Sequence, residues 1–206
     1  MVIGGLQKQS FIDWEGKTTA VIFTRGCNFR CGFCHNPSLV LPELFKGTEH
    51  ISPDEVLDFL STRKNWLDGV VITGGEPTLH ADLPDFIASL NEIGLPVKLD
   101  TNGSNSHMLQ SLIRHQLIEY VAMDIKTKLE PEAFAEITAC ADSQLVDQIV
   151  QSLCILRNSG IDYMLRTTVV PGFHTDQDIR ILREQFADER YVVQDYREGD
   201  TVENYK

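Results

Sequence analysis

Three cysteines, Cys27, Cys31 and Cys34, fall within one short segment of this 206-residue chain. Their C-x3-C-x2-C spacing puts three thiolates on a single loop, and thiolates are the ligands that hold iron–sulfur clusters. A [4Fe–4S] cube held in this way keeps one iron without a protein ligand. The spacing therefore predicts an open metal position at which a substrate or cofactor coordinates, as in catalytic rather than closed structural sites.

Other uses of the same cysteines stay open as less favoured alternatives. Zinc requires a fourth ligand, and His35 lies directly beside Cys34, where it is poorly placed to complete a tetrahedron. The run from Cys31 to His35 also matches the attachment pattern of c-type haem. That attachment normally requires export, and no secretory signal is visible at the N-terminus. Three buried cysteines without a metal are the remaining alternative.

Short apolar runs alternate with segments of helical period along the chain, which is typical of α/β folds. Several runs are apolar on successive residues, as expected of strands covered on both faces or forming a barrel wall. Helix-start patterns such as Ser52-Pro53-Asp54-Glu55 lie between them. Six βα-type units allow either an open doubly wound sheet or an incomplete barrel. The predicted strands are 18–24, 69–73, 97–101, 120–125, 162–170 and 191–194.

Polar residues follow these strands where the strands end. Because functional groups gather beyond the carboxyl ends of parallel strands, we expect them to meet on one rim. The cysteine loop follows the first strand, and Gly74-Gly75-Glu76-Pro77 follows the second. The later strands contribute Asp100, Thr101, Asn102, Asp124, Lys126 and Arg166.

Each of these groups also has a plain structural interpretation. The glycine pair lets a backbone approach a ligand closely, and Glu76 offers an anionic acceptor to an ammonium group, yet the same residues suit an ordinary strand-to-helix turn. The segment from Asp100 to Asn102 suits turn chemistry. Asp124 and Lys126 could form only an ion pair at the rim.

Composition restricts the class of protein. The chain is 42% hydrophobic and 23% charged, which is ordinary for a globular domain with a sizeable core. Its net charge of −12 repels phosphate backbones, so no nucleic-acid partner is expected. No apolar run reaches the ~18 residues of a membrane span, so we expect a cytoplasmic protein without membrane contact. We expect one domain over 1–206, with a core at about 18–196 and a loose polar tail at 197–206.

The cysteine loop with Phe33, followed by Gly74-Gly75-Glu76-Pro77, resembles the radical S-adenosylmethionine (SAM) superfamily. Residues 5–17 (GLQKQSFIDWEGK), with GCNFRC at 26–31 and CHNP at 34–37, are similar to a narrower group. That group is the activating proteins of anaerobic ribonucleoside-triphosphate reductase, a subset of the glycyl-radical-enzyme activases. Its fold is a partial (β/α)6 TIM-like barrel, so the resemblance favours the barrel over the open sheet. The resemblance extends from Gly5 to Gly172.

The resemblance implies a role for each residue of the rim. Cys27, Cys31 and Cys34 match the ligands of a [4Fe–4S] cluster whose fourth iron is chelated by SAM. Asp124 and Lys126 match a catalytic pair near SAM and the substrate glycine. The residues that match the cofactor-binding positions are Phe33, His35, Gly74, Gly75, Glu76, Pro77, Asp100, Thr101, Asn102 and Arg166.

The implied reaction is reductive cleavage of SAM, with an electron from a low-potential donor such as flavodoxin or ferredoxin. The resulting 5′-deoxyadenosyl radical takes a hydrogen atom from a glycine of the partner, anaerobic ribonucleotide reductase. An activase of another glycyl-radical enzyme, such as pyruvate formate-lyase, is one alternative. A non-catalytic iron–sulfur protein is a second. A radical SAM enzyme for a small molecule or RNA is a third, and the acidic charge disfavours RNA.

Overall fold

Seven strands form a single sheet whose order follows the chain in the computed structural model, which describes residues 1–205. Strands β2 to β7 are all parallel, and β1 pairs antiparallel with β2. Within residues 1–205, β7 does not pair with β1, so the sheet stays open on that side. The α/β partial barrel predicted from the sequence is confirmed. The strands are β1 (Ile3–Ser10), β2 (Thr19–Thr24), β3 (Gly69–Gly74), β4 (Val97–Thr101), β5 (Tyr120–Asp124), β6 (Asp162–Val169) and β7 (Tyr191–Asp195).

Eight α-helices are described within residues 1–205. They are α1 (Pro37–Val40), α2 (Pro42–Phe45), α3 (Pro53–Arg63), α4 (Leu83–Ile93), α5 (Ser106–Arg114), α6 (Pro131–Thr138), α7 (Leu145–Ser159) and α8 (Asp176–Gln185). Capping boxes at Ser52–Glu55 and Thr175–Asp178 begin α3 and α8, as their sequences predict. In this part of the chain, no helix combines the length and the apolar character needed to cross a bilayer.

Several elements are absent from the sequence prediction, among them β1, α6 and the four-residue helices α1 and α2. Strand β1 was missed because its residues Gly4, Gly5, Gln7 and Lys8 lack an apolar run, and its pairing with β2 is irregular at two places. As an edge strand, it can expose polar side chains on its free side. Helix α6 was missed because its eight residues form only about two turns, started by Pro131.

The sheet carries core on both faces. Ile22, Ile72 and Leu99 face the helices and belong to the main hydrophobic cluster. On the inner face, Trp14 packs with Val21 and Val71 in a second cluster and is 7% exposed. Trp14 belongs to the β1–β2 loop, residues 11–18. This loop closes the barrel at the amino ends of the strands, which we call the floor.

The last residues correct one sequence prediction. The segment from residue 197 onward was expected to be loose because it is polar, but it folds back onto the cysteine loop. Val202–Tyr205 forms a 3-10 helix, and Thr201 and Val202 are 4% and 1% exposed. Lys206 lies outside the described residues. The polar composition did not reveal that one apolar side chain of the segment, Val202, is buried against Val40 and Leu41.

Candidate active site

A cavity of about 250 Å³ opens at the carboxyl ends of the parallel strands, and it brings together nearly all the predicted site residues. Pro77 is the exception. It is buried at the start of the 3-10 helix Pro77–Leu79, where it turns the chain away from the cavity. The predicted residues that line the cavity are Cys27, Cys31, Phe33, Cys34, His35, Gly74, Gly75, Glu76, Asp100, Thr101, Asn102, Asp124, Lys126 and Arg166.

The cysteine loop begins directly after β2 and is held by its own backbone. Gly26 has a positive φ of 94° and donates its N–H to the carbonyl of Leu39 at 2.7 Å. The Cys34 N–H donates to the Cys31 carbonyl at 3.1 Å. The Phe29 N–H donates to Cys27 Sγ at 3.4 Å. Local hydrogen bonds therefore shape the loop and direct its three cysteines to one cavity.

The electrostatics of the thiols follow from their burial. Burial raises the pKa of Cys27 to about 12, and the nearby charge of Glu76 acts in the same direction. Burial also raises the pKa of Cys31 to about 11, although the Lys126 ammonium opposes this. The metal-free thiols of Cys27 and Cys31 are thus protonated at neutral pH, and metal binding must displace their protons.

The donor set fits an iron–sulfur cluster. Three cysteine sulfurs from one loop line one cavity, and cysteine sulfur is the ligand that such clusters use. Cys27, Cys31 and Cys34 are therefore the residues that would hold a cluster, with the remaining cavity beside them.

Gly74 and Gly75 bring the second loop against the cysteine loop. A Cβ on Gly75 would lie 1.9 Å from the Gly26 carbonyl oxygen, and one on Gly74 would lie 2.3 Å from the Thr24 nitrogen. The N–H groups of Gly75 and Glu76 donate to Thr24 and Gly26 carbonyls at 2.9 and 2.7 Å. The Cβ positions of this glycine pair are thus occupied by the chain itself, and the predicted contact of Gly74 and Gly75 with a ligand stays a prediction.

Glu76 is 1% exposed and joins the ends of β3 and β4. Its Oε1 accepts hydrogen bonds from Thr78 N–H at 3.1 Å, Thr78 hydroxyl at 2.5 Å and Thr101 hydroxyl at 2.7 Å. Its Oε2 accepts from Asn102 N–H at 2.7 Å. Burial raises the pKa of Glu76, while these donors oppose that shift. Three of the four bonds converge on Oε1, whereas Oε2 accepts one bond and keeps an acceptor position. Its predicted contact with an ammonium group stays a prediction.

Five alternating charges cross the inner face of the sheet, and we call them the charge ladder: Lys98, Asp100, Arg166, Asp124 and Lys126. The Lys98 ammonium lies 3.2 Å from Asp100 Oδ1, and Arg166 is 3.1 Å from Asp100 Oδ2. Arg166 Nε then donates to Asp124 Oδ1 at 2.8 Å, and Lys126 Nζ donates to Asp124 Oδ2 at 3.0 Å. Each carboxylate is shared by two cations, so the ladder carries one net positive charge.

The upper end of the ladder stays charged at neutral pH. Burial opposes ionisation of Asp124, but Arg166 and Lys126 outweigh it and lower the pKa of Asp124 to about 2. Burial likewise opposes the charge of Lys126, yet Asp124 and the Cys31 thiol raise its pKa. The Lys126 ammonium lies 6.0 Å from the centre of the Phe33 ring. A fixed cation therefore faces the cysteine loop.

Sequence reasoning missed several residues of the site. Asn28 joins the cysteine loop to the end of β4, since its Oδ1 accepts from Asn102 Nδ2 at 2.9 Å. Thr168 lines the cavity two residues after Arg166, and the alternation of side chains along β6 could have predicted it. His174 accepts from Val170 N–H at 2.9 Å and contacts the Lys126 carbonyl at 2.9 Å, so it ties the loops after β5 and β6 together.

An open parallel barrel with a three-cysteine loop at its rim defines the class of protein. The chain belongs to the radical SAM superfamily, whose family model matches residues 21–185. It is an enzyme of this superfamily, and its cofactors are those of the family, a [4Fe–4S] cluster and SAM.

Two curated relatives narrow the resemblance. A putative glycyl-radical enzyme activating enzyme of Methanocaldococcus jannaschii is 33% identical over 98% of this chain and 82% of its own length. A pyruvate formate-lyase-activating enzyme of Clostridium pasteurianum is 27% identical over 83% of this chain and 71% of its own length. The chain thus resembles activating enzymes of glycyl-radical enzymes over most of its length.

Solved structures agree on the fold. SuiB of Streptococcus suis, bound to S-adenosylmethionine, matches 87% of this chain with a TM-score of 0.66 and 18% identity, over 40% of SuiB. The radical SAM methyltransferase TsrM of Kitasatospora setae matches 85% with a TM-score of 0.61 and 17% identity, over 35% of TsrM. This chain spans less than half of either protein, so the likeness concerns the shared barrel.

Proposed function

We propose that this chain activates a glycyl-radical enzyme and that its target is anaerobic ribonucleoside-triphosphate reductase. The observation that carries the proposal is the single cavity that joins the three-cysteine loop to Asp124, Lys126 and Arg166 at the rim of an open barrel. The similarity of residues 5–17 to the reductase activating proteins supports this choice of target. A low-potential donor, such as flavodoxin or ferredoxin, and a cytoplasmic setting are parts of the proposal.

The chemistry divides between the cofactors and the chain. When bound, the cluster and SAM would supply a one-electron cleavage of SAM and the removal of a hydrogen atom from the glycine of the partner. In the proposal, Cys27, Cys31 and Cys34 hold the cluster. Asp124 and Lys126 provide a fixed ion pair beside it, positioned by Arg166. A reactive radical requires a dry site, and in the proposal the loops around the cavity and the docked partner together exclude water.

The shape of the barrel supports a macromolecular substrate. The strands of a closed eight-stranded barrel leave an interior that side chains fill. Here β7 and β1 do not pair within residues 1–205, while the floor is closed by Trp14 and by the Arg190–Glu15 ion pair. A glycine on a loop of the partner could enter from the open side and reach the rim.

Anaerobic reconstitution tests the proposal. The protein is loaded with iron and sulfide, reduced, and mixed with SAM and an anaerobic ribonucleotide reductase, and the partner is examined by electron paramagnetic resonance. We expect a doublet from a glycyl radical and one 5′-deoxyadenosine per radical. Release of 5′-deoxyadenosine without a radical on the reductase would contradict the target.

Two comparisons sharpen this experiment. Pyruvate formate-lyase replaces the reductase in a parallel reaction, because one relative carries that activity in its name. A radical on the lyase alone would replace the proposed target by this second candidate. Cys31→Ala should abolish SAM cleavage, whereas Cys154→Ala should not, since Cys154 is exposed on α7 away from the cavity.

A further inference from the structure

The chain after β7 returns to the cysteine loop and pairs with its backbone. Val202 donates its N–H to the carbonyl of Cys34 at 3.0 Å. Glu203 donates its N–H to the carbonyl of Gly32 at 2.9 Å. Two consecutive N–H groups thus bind two carbonyls of the loop that carries the cysteines. We call residues 196–205 the C-terminal segment.

The side chain of Val202 completes this contact. Val202 is 1% exposed and forms a small apolar cluster with Val40 and Leu41, which follow the cysteine loop. Cys27 and Cys34 pack against the same cluster. Two of the three cysteines therefore pack against an apolar cluster to which Val202 contributes from about 170 positions later in the chain.

A second set of contacts lies at the start of the segment. His35, which follows Cys34, contacts the carbonyl of Arg197 at 2.6 Å through Nε2. The centres of the His35 and Tyr196 rings lie 5.3 Å apart. The segment therefore contacts the end of the cysteine loop at Gly32, Cys34 and His35.

We propose that the C-terminal segment is part of the cluster site and that Val202 is a positioning residue that fixes Cys34 and shields the cluster from water. The inference rests on the proposed ligation by Cys27, Cys31 and Cys34, but not on the identity of the partner. In this proposal, the C-terminal segment protects the side of the cluster that faces away from the barrel.

The physical consequence concerns the reduction potential. Reduction adds negative charge to a cluster that thiolates already make anionic, and water stabilises that charge better than apolar side chains do. Solvent exposure is one of the factors that set these potentials. By keeping water from Cys27 and Cys34, Val202 holds the potential low, which makes the reduced cluster a stronger electron donor.

Val202→Ala tests the proposal in the full-length, reconstituted protein. We expect a more positive midpoint potential of the cluster and faster bleaching of its visible absorbance in air. Val71→Ala is the matched control, because Val71 is 0% exposed and lies on β3 in the cluster of Trp14 and Val21, at the floor of the barrel. It should lower the melting temperature without moving the potential. Val202→Ile, which keeps the apolar contact, should retain the wild-type potential.

An unchanged potential and bleaching rate in Val202→Ala would overturn the proposal, and so would equal changes in Val202→Ala and Val71→Ala. If wild-type protein loads no iron, the assignment of the three cysteines as ligands is wrong instead.

If Val202→Ala does not fold, hydrogen exchange of the backbone amides in the wild-type protein tests the proposal. Coupling between two sites is reciprocal, so loading the cluster must slow exchange at Val202 and Glu203. Equal exchange with and without the cluster refutes the coupling.

Discussion

Glu76→Gln tests whether Glu76 orders the rim or serves only a bound ligand. The substituted amide can offer its oxygen to the three donors that share Oε1, but its NH2 group then faces the Asn102 N–H. Leaving that buried N–H unpaired costs about 1–3 kcal/mol. The other bonds weaken because a neutral acceptor replaces a charged one, typically by about half their strength.

The expected loss combines these contributions. A neutral amide is easier to bury than a carboxylate, which offsets part of the cost. We therefore expect the free energy of unfolding of the cofactor-free protein to fall by about 2–3 kcal/mol. With a slope of about 2–3 kcal/mol per molar urea, the midpoint moves down by about 1 M.

Urea unfolding at neutral pH, followed by circular dichroism without cluster or SAM, measures this directly. Glu136→Gln is the control, because Glu136 is exposed on α6 and its substitution should change stability by less than about 0.5 kcal/mol. If Glu76→Gln unfolds at the wild-type urea concentration and loses only SAM affinity, the carboxylate does not hold the rim together and our reasoning is wrong.

Three further predictions concern the ligand loop, the glycine pair and α8. Cys31→Ala should bind little iron after reconstitution, and wild-type iron content in this variant would refute its assignment. Gly75→Ala places a Cβ 1.9 Å from the Gly26 oxygen, so we expect a loss of about 3 kcal/mol, seen as a melting temperature lower by roughly 6–12 °C; an unchanged value would contradict the close approach. Asp178→Asn weakens the cap with Thr175 by about 1 kcal/mol at pH 7. Because Thr175 lowers the pKa of Asp178 to about 2 in the folded protein, its stabilisation is complete above the ordinary 3.8 and lost as pH falls toward 2. The difference in unfolding free energy between wild type and Asp178→Asn should therefore shrink as pH falls from 3.8 toward 2. A constant difference would show that the Asp178 carboxylate is not its cause.

The rim could be predicted because parallel strands end at a common edge. Asp100, Asp124 and Arg166 lie on three strands that are distant in sequence, yet their positions at the strand ends were enough to bring them to one cavity. Strand β1 escaped prediction because an edge strand needs no continuous apolar run. The barrel itself was favoured over the open sheet by family resemblance, since apolar strands suit both.

Partnerships across distant loops could not be predicted. Glu76 is held by Thr101 and Asn102, which follow the next strand, and no local pattern states which residue will fill its acceptor positions. The same holds for Val202, whose single apolar side chain in a polar stretch gives no periodicity. Such contacts depend on how loops of different strands fit together, and only tertiary structure contains that information.

The charge ladder ties the floor of the barrel to its rim. At its lower end, Lys98 donates a hydrogen bond to the carbonyl of Asp13, in the loop that closes the floor. At its upper end, Lys126 faces the cysteines. A tag or fusion partner inserted into the β1–β2 loop would therefore also disturb the charge ladder. A displaced Asp13 carbonyl deprives Lys98 of its acceptor, and each ion pair above it must then readjust.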